Sequence, residues 1–532
     1  MIMVRTLVDK TAPHADEWWK AGVIYQIYPR SFMDSDGDGI GDLDGIMRRL
    51  DYLTSLGVDA FWVSPVYPSP MADFGYDLTD YCGIDPVFGT LADFDRLLAA
   101  AHDRGLRVLM DFVPSHTSNL HPWFLASRSS REDPKRDWYI WRDARPDGSP
   151  PNNWLSEFGG PAWTWDEATG QYYLNIFLPE QPALNWRNPE VREALYGAMR
   201  FWFDRGVDGF RVDAVEFMVP DARFCDNPPN PDWTEAMGPA RSQLALYTQH
   251  QPEVLEIARE MRAIARSYTP ERLLIGEAYG RLDQFLAYYG ADLGGFHLPF
   301  NFQLIGAKWH PRTIAALVER YEAALPKGAW PNWVLGNHDR ARVASRVGAS
   351  QARVAAMLLL TLRGTPTIYQ GEELGMENVP IPPDRVIDPW EKNVPGRGFG
   401  RDPVRTPLAW TGDAGAGFTT GTPWLPIDAR REMSVETQQH EPDSMLSLYR
   451  RLLRLRRAEP ALALGDYESL SVDDQVYVYA RSLEGRRLIV ALNFSDRPRE
   501  VTDLGQPLVS TLEVTPKPGE ALQPNEGRIF AA

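Results

Sequence analysis

Two textures alternate over the first two-thirds of the chain. Short runs rich in β-branched and aromatic residues give way to a polar loop, then to apolar residues spaced three and four apart, and the cycle repeats. The first texture predicts a strand and the second an amphipathic helix. The unit beginning at Gly89 is the clearest. Thr90 and Asp93 have the spacing of a capping box, and Phe94, Leu97, Leu98 and Ala101 follow on one helical face. Gly105 stands where a helix-terminating glycine would, and residues 107–113 (RVLMDFV) read as the next strand.

Strands of this kind are predicted near 23–28, 60–64, 108–113, 209–215, 273–278, 293–300, 333–337 and 367–370. Eight strands alternating with helices point to an α/β fold, a (β/α)8 TIM barrel. A doubly wound open sheet is the alternative, but no glycine-rich dinucleotide fingerprint follows the first strand. Residues 116–185, rich in Trp, Pro, Gly and Asn, are too long for a bare loop and read as a small inserted domain after strand three. After a final helix near 444–457 the texture changes: QVYVYAR alternates, Glu484-Gly485 is a turn signal, and RRLIVALNF follows. That predicts a C-terminal antiparallel β-sandwich domain. The expected divisions are 1–115 (first part of the barrel), 116–185 (insert), 186–464 (rest of the barrel) and 465–532 (C-terminal domain).

Composition narrows the partners. The chain has 532 residues, 44% hydrophobic and 24% charged, with a net charge of −17. That balance is ordinary for a soluble globular protein and disfavours nucleic acid or an anionic membrane as partner, since both would be repelled. It leaves a neutral substrate open. Two cysteines, Cys82 and Cys225, make neither a disulfide framework nor a metal cluster. The first residues lack the apolar core of an export signal, and the longest apolar run, 354–360, falls far short of the about 18 residues that a membrane span needs. A cytoplasmic location is expected.

The chemistry gathers at strand ends. In GFRVDAV (209–215), Arg211 and Asp213 are two apart and share a strand face. A guanidinium there favours the ionised carboxylate, as a nucleophile at a sugar carbon requires; a buried structural ion pair is the competing reading. Glu277 ends the fifth strand in LLIGEA, and Asp339 follows the seventh in VLGNHD. His116 follows the third strand in MDFVPSH, and Asp73 and Tyr76 follow the second in DFGYD. Three acids from three strand ends, at the barrel face where active sites sit, are far more specific than any one alone.

GFRVDAV, LLIGEA, VLGNHD and MDFVPSH together resemble the characteristic regions of the α-amylase superfamily of glycoside hydrolases. DFGYDLTDY and GRDPVRTPLAW resemble its α-glucosidase and oligo-1,6-glucosidase branch. The resemblance implies Asp213 as nucleophile, Glu277 as general acid/base and Asp339 as the carboxylate that stabilises the transition state. It implies a glucose site of Asp73, Tyr76, His116, Arg211, His338 and Arg401, with Phe177 lining the same pocket. Asp73 with Arg401 would close that pocket behind one glucose, which gives cleavage from a chain end. The expected activity is that of a retaining exo-acting α-glucosidase on short α-glucosides, with transglucosylation alongside hydrolysis. No organic cofactor is expected.

Linkage is read from the residue after the nucleophile. Ala214 resembles α-1,4-preferring relatives, where Val resembles α-1,6-preferring ones; Gln181–Asn185 reads QPALN where the α-1,6 pattern is QPDLN. Maltose is therefore expected over isomaltose. The alternatives are an oligo-1,6-glucosidase, or a trehalose-acting, sucrose-acting or transglucosylating enzyme of the same superfamily, and a non-catalytic amylase-like binding protein is a remote one. The loop DSDGDGIGD is a second acidic constellation: Asp34, Asp36, Asp38 and Asp42 alternate, with Ile40 able to offer its carbonyl, in an EF-hand-like spacing. Its twelfth position is Gly45 rather than Glu, and a solvated Asp/Gly loop is the alternative. Oxygen ligands favour a structural Ca²⁺ or Mg²⁺ ion, which the family resemblance also implies here.

Overall fold

The structure is a computed structural model that describes residues 17–428, 430–501, 504–512 and 517–532. The stretch 1–16, read above for an export signal, lies outside the described residues. The parallel strands of the barrel begin with β1 (Ile24–Ile27), β2 (Ala60–Val63) and β3 (Arg107–Phe112). Three short antiparallel strands follow, β4 (Trp141–Arg142), β5 (Trp163–Asp166) and β6 (Gln171–Leu174), ordered β4-β6-β5. The barrel then resumes with β7 (Gly209–Val212), β8 (Leu273–Glu277), β9 (Leu298–Phe300), β10 (Asn332–Val334) and β11 (Thr365–Tyr369). Around the eight-stranded sheet the order is β10-β11-β1-β2-β3-β7-β8-β9, and a parallel bridge between Asn301 and Trp333 joins its two ends. Every spatial neighbour is thus also the next barrel strand in sequence.

Period-two alternation builds the core on both faces of the sheet. Ile24, Trp62, Leu109, Leu273, Ile275, Leu298, Phe300 and Val334 fill the barrel interior. Their neighbours Tyr25, Phe61, Val108, Phe210, Val212 and Leu274 pack outward under the helices. The helix Leu91–Asp103 carries the expected capping box from Thr90 and Asp93, and Gly105 takes φ 76° just beyond its end. No helix among the described residues is long and apolar enough to cross a membrane.

Three predicted strands are clearly shorter than expected. The fourth ends at Val212, since the chain turns at Asp213 and Ala214 takes φ 44°. The sixth starts at Leu298, not 293, because Leu293 adopts φ 57° and a Cβ at Gly295 would stand 2.1 Å from the Tyr288 carbonyl oxygen, so this segment turns instead of extending. The seventh ends at Val334. Asp339 therefore lies on the turn beyond it, where Asn337 and Arg340 are bridged.

The C-terminal domain holds β12 (Asp466–Val472), β13 (Val476–Leu483), β14 (Arg486–Asn493), β15 (Gln506–Ser510) and β16 (Gly527–Ala531), in one antiparallel sheet ordered β12-β13-β14-β16-β15. Glu484 (φ 48°) and Gly485 (φ 82°) form the two-residue turn between β13 and β14. Tyr477 and Tyr479 join the main core, while Val476, Val478 and Ala480 form a separate layer with Leu522 and Phe530. The sheet is thus apolar on both faces, one of them seated on the barrel helices.

Candidate active site

The parity that fills the barrel also aims its chemistry. Leu109, Leu273 and Ile275 point inward, so Asp111, two beyond Leu109, and Glu277, two beyond Ile275, do as well. Arg211 pairs in register with Asp111 on β3 and with Ile275 on β8. It is 1% exposed, and its guanidinium meets three carboxylates: Asp111 Oδ1 at 2.8 Å, Asp213 Oδ1 at 2.6 Å, and Glu277 through Nη2. Asp213 sits just past β7, where its N–H donates to the Phe112 carbonyl at 2.8 Å. The next residue, Ala214, takes the left-handed conformation (φ 44°, ψ 45°), a cost of about 1–2 kcal/mol for a non-glycine residue. The turn aims the Ala214 N–H at Glu277 Oε2, 3.2 Å away.

Asp339 is held differently. Arg405 Nη2 lies 2.8 Å and Arg401 Nη1 3.4 Å from its Oδ1, and His338 Nε2 stands 3.3 Å from Oδ2. Gln26, inward on β1, holds His338 Nδ1 at 2.7 Å, and the Tyr76 hydroxyl meets His338 Nε2 at 2.8 Å. Arg401 also reaches Asp73 Oδ1 at 2.6 Å and Asp388 Oδ1 at 2.7 Å, all three side chains buried. The His116 ring nitrogen Nε2 sits 2.8 Å from the Tyr76 carbonyl and 3.0 Å from Gln181 Nε2. Its ring lies 5.2 Å from that of Phe177.

One cavity of about 740 Å³ gathers these groups. Asp73, Tyr76, His116, Phe177, Asp213, Ala214, Glu277, His338, Asp339 and Arg401 line it, while Arg211 supports the acids from beneath. Residues that the sequence reading left unassigned share the walls, among them Glu157, Phe158, Gln181, Glu216, Tyr279, Arg340 and Trp390. Asp111, Asp388 and Arg405 brace the site from outside the lining. Asp111 had a sequence signal, its inward parity in RVLMDFV; Arg405 stands in the same segment as Arg401.

The three acids divide electrostatically. Burial pushes Glu277 up to about 8, helped by the charges of Asp213 and Asp339 and opposed by Arg211. Burial also pushes Asp213 up, to about 7, with Asp111 adding to the rise. Arg211 works against that rise but is shared among three carboxylates, so it does not hold Asp213 in the usual carboxylate range, contrary to what the two-residue spacing suggests. Asp339 goes the other way. Burial opposes ionisation, but His338, Arg405, Arg401 and Arg211 together hold it well below the ordinary range. One acid is thus firmly ionised, while burial raises the other two, which share Arg211.

The acidic loop brings together only part of its expected set. Among the described residues, Asp34, Asp36 and Asp42 each offer an oxygen within 4.8 Å of the others. Asp38 stands outside this group, its Oδ1 accepting from the Ile40 N–H at 2.7 Å. A tight cluster of carboxylate oxygens, with no nitrogen or sulfur donor, fits a hard divalent cation.

Comparison with known proteins agrees with this architecture. The family described as "Alpha amylase, catalytic domain" matches residues 26–465. The chain belongs to the alpha-amylase family. It is an enzyme of the glycoside hydrolase class. A probable alpha-glucosidase of Rhizobium meliloti is 41% identical, covering all of this chain and 96% of that protein. An oligo-1,6-glucosidase of Heyndrickxia coagulans is 41% identical over 90% of this chain and 92% of its own length. Among solved structures, an alpha-glucosyl transfer enzyme superposes with a TM-score of 0.91 at 41% identity, over 96% of this chain and 99% of the other.

Proposed function

We propose that this enzyme is a retaining, exo-acting α-glucosidase that releases glucose from the non-reducing end of short α-glucosides. The observation that carries the proposal is Arg211: one guanidinium grips both Asp213 and Glu277. Carboxyls so held suit the separation of about 5–5.5 Å of a retaining pair, not the about 6.5–9.5 Å that leaves room for an inverting water. Asp213 attacks the anomeric carbon while Glu277 protonates the departing oxygen. Glu277, now a base, then takes a proton from the water or sugar hydroxyl that displaces the glucosyl group. Asp339, ionised throughout, hydrogen-bonds the sugar hydroxyls as the ring flattens and stabilises the positive charge that develops.

The buried Asp73–Arg401 pair supports exo action, because both side chains line the cavity and their pairing would close it behind one glucose. Tyr76, His116, Phe177 and His338 complete the glucose site. Ala214 supports a preference for α-1,4 over α-1,6 linkages; a methyl-scale difference there is worth about 1–3 kcal/mol. The oligo-1,6-glucosidase relative keeps the opposite preference as the alternative. Likeness to an alpha-glucosyl transfer enzyme supports transfer to sugar acceptors alongside hydrolysis. We further propose that Asp34, Asp36 and Asp42, with the Ile40 carbonyl, hold a Ca²⁺ or Mg²⁺ ion that pins the loop and takes no part in the reaction.

The test is a product time course on maltose, isomaltose, sucrose and trehalose in parallel, with the anomer of the released glucose followed by NMR. Glucose appears fastest from maltose, initially as the α-anomer, with trisaccharides at high maltose. Faster release from isomaltose would reverse the linkage assignment, and an initial β-anomer would overturn the retaining assignment.

A further inference from the structure

The turn after β7 and the end of β8 exchange hydrogen bonds from backbone N–H groups to side-chain carboxyls. The Ala214 N–H, one residue past Asp213, donates to Glu277 Oε2 at 3.2 Å. In the other direction, the Tyr279 N–H, two past Glu277, donates to Glu216 Oε1 at 3.1 Å. Glu216 stands three residues past Asp213, in the 3-10 turn Val215–Phe217. It is 1% exposed, lines the catalytic cavity, and forms no ion pair with a cation among the described residues. Its own carbonyl accepts the His250 N–H at 2.9 Å, so the turn is anchored from a third segment.

We propose that Glu216 is a positioning residue that ties the end of β8 to the turn after β7 and so places Glu277 for proton transfer to the leaving group. The inference rests on the glycosidase reading above. The brace needs an acceptor oxygen, not a charge. Among the described residues Glu216 Oε2 is buried without a partner, and burial, with the nearby Glu277, pushes the carboxyl well above the usual carboxylate range. Arg211 holds both acids, but Asp213 has in addition its own N–H bond to the Phe112 carbonyl, so loosening the brace falls mainly on the segment that follows Glu277.

This predicts a dependence on leaving group. Departure of the sugar from maltose needs a proton from Glu277, whereas fluoride departs from α-glucosyl fluoride without one. In Glu216→Ala, kcat/KM for maltose should fall about a hundredfold, the scale of a misplaced catalytic group. On α-glucosyl fluoride it should fall by less than about tenfold. Glu216→Gln, which keeps a neutral acceptor at the same reach, should restore maltose activity to within about threefold of the parent, the scale of one altered hydrogen bond. Glu216→Asp, which keeps the acid but is too short to span, should repeat the alanine pattern and serves if the alanine variant does not fold. Equal losses on both substrates, or a glutamine variant as poor as alanine, would overturn the brace. A parent enzyme inactive on both substrates would instead sink the glycosidase reading.

Discussion

The acids around the cavity and those of the loop after β1 are stabilised by opposite means. Around the cavity, Asp111, Asp213, Glu277, Asp73 and Asp388 are buried and Asp339 half-buried, and three guanidiniums balance them, Arg211, Arg401 and Arg405. In the loop that follows β1, Asp34 is held by N–H groups of its own turn: Asp36 and Gly37 donate to Oδ1, Gly39 to Oδ2. The Thr419 hydroxyl adds a fourth donor. Short-range N–H bonds fix a carboxylate in place and favour its charge. Buried guanidiniums shared among several acids leave some of them able to take a proton, as Glu277 does at about 8. The first arrangement suits a fixed cation and the second suits chemistry.

The largest break in that contrast is Asp213→Asn. The amide keeps the shape and the contact to Arg211 but cannot attack the sugar. Maltose turnover should fall at least about 10⁴-fold, the scale on which nucleophile removal acts in a covalent mechanism. Azide or formate added to the variant should restore part of the lost turnover by entering where the carboxylate was. A variant with more than a tenth of parental kcat, an estimate set well above the ~10⁻⁴ expected, would remove Asp213 from the nucleophile's role.

Arg401→Ala comes next. It leaves Asp73 and Asp388 buried without their shared cation, which should cost about 3–5 kcal/mol of stability in chemical denaturation. Arg401→Lys should recover only part of it, since an ammonium cannot match the guanidinium's fork. An alanine variant as stable as the parent would mean that the acids find other partners.

How much of this was legible beforehand follows from the range of each interaction. Arg211 lies on β7 and Asp213 one residue past its end, two positions apart, so their shared direction is a local fact of the sequence. The capping box at Thr90 and the Glu484-Gly485 turn are local as well. The Arg401–Asp388 pair spans 13 positions inside an irregular segment, and Arg405–Asp339 spans 66. No periodicity marks such contacts; only the closed barrel brings them together. The sixth strand was overextended because apolar residues flank Gly294-Gly295, and the pattern cannot show that backbone crowding at Gly295 bends the segment. Asp38 alternates with its neighbours in sequence yet turns to its own loop, since alternation in a tight turn does not fix side-chain direction as it does in a strand.

A pH profile sharpens the comparison with a smaller effect. Catalysis needs Asp213 ionised and Glu277 protonated. Activity should therefore rise with pH through about 7 and fall through about 8. On each limb kcat/KM should change by about tenfold per pH unit. The optimum lies between the two. Asp36→Asn in the loop should leave both limbs in place, because that cluster shares no residue with the cavity. A flat profile from pH 5 to 9, limits chosen about two units below and one above those values, would mean that the cavity does not set these protonation states.

The smallest effect tests the loop itself. A chelator in excess should lower Tm without changing the initial rate at 25 °C, since an ion bound only to the folded state contributes about 3 kcal/mol at a hundredfold excess over its Kd, a shift of several degrees. Asp36→Asn removes one of the three clustered oxygens and should abolish the response to chelator. Asp38→Asn should keep the larger part of it, because that carboxyl caps the Ile40 N–H outside the cluster. If Asp38→Asn abolishes the response as fully as Asp36→Asn does, the cation draws Asp38 inward when it binds, and the four-acid spacing of the sequence describes the loaded loop better than the three-acid cluster does.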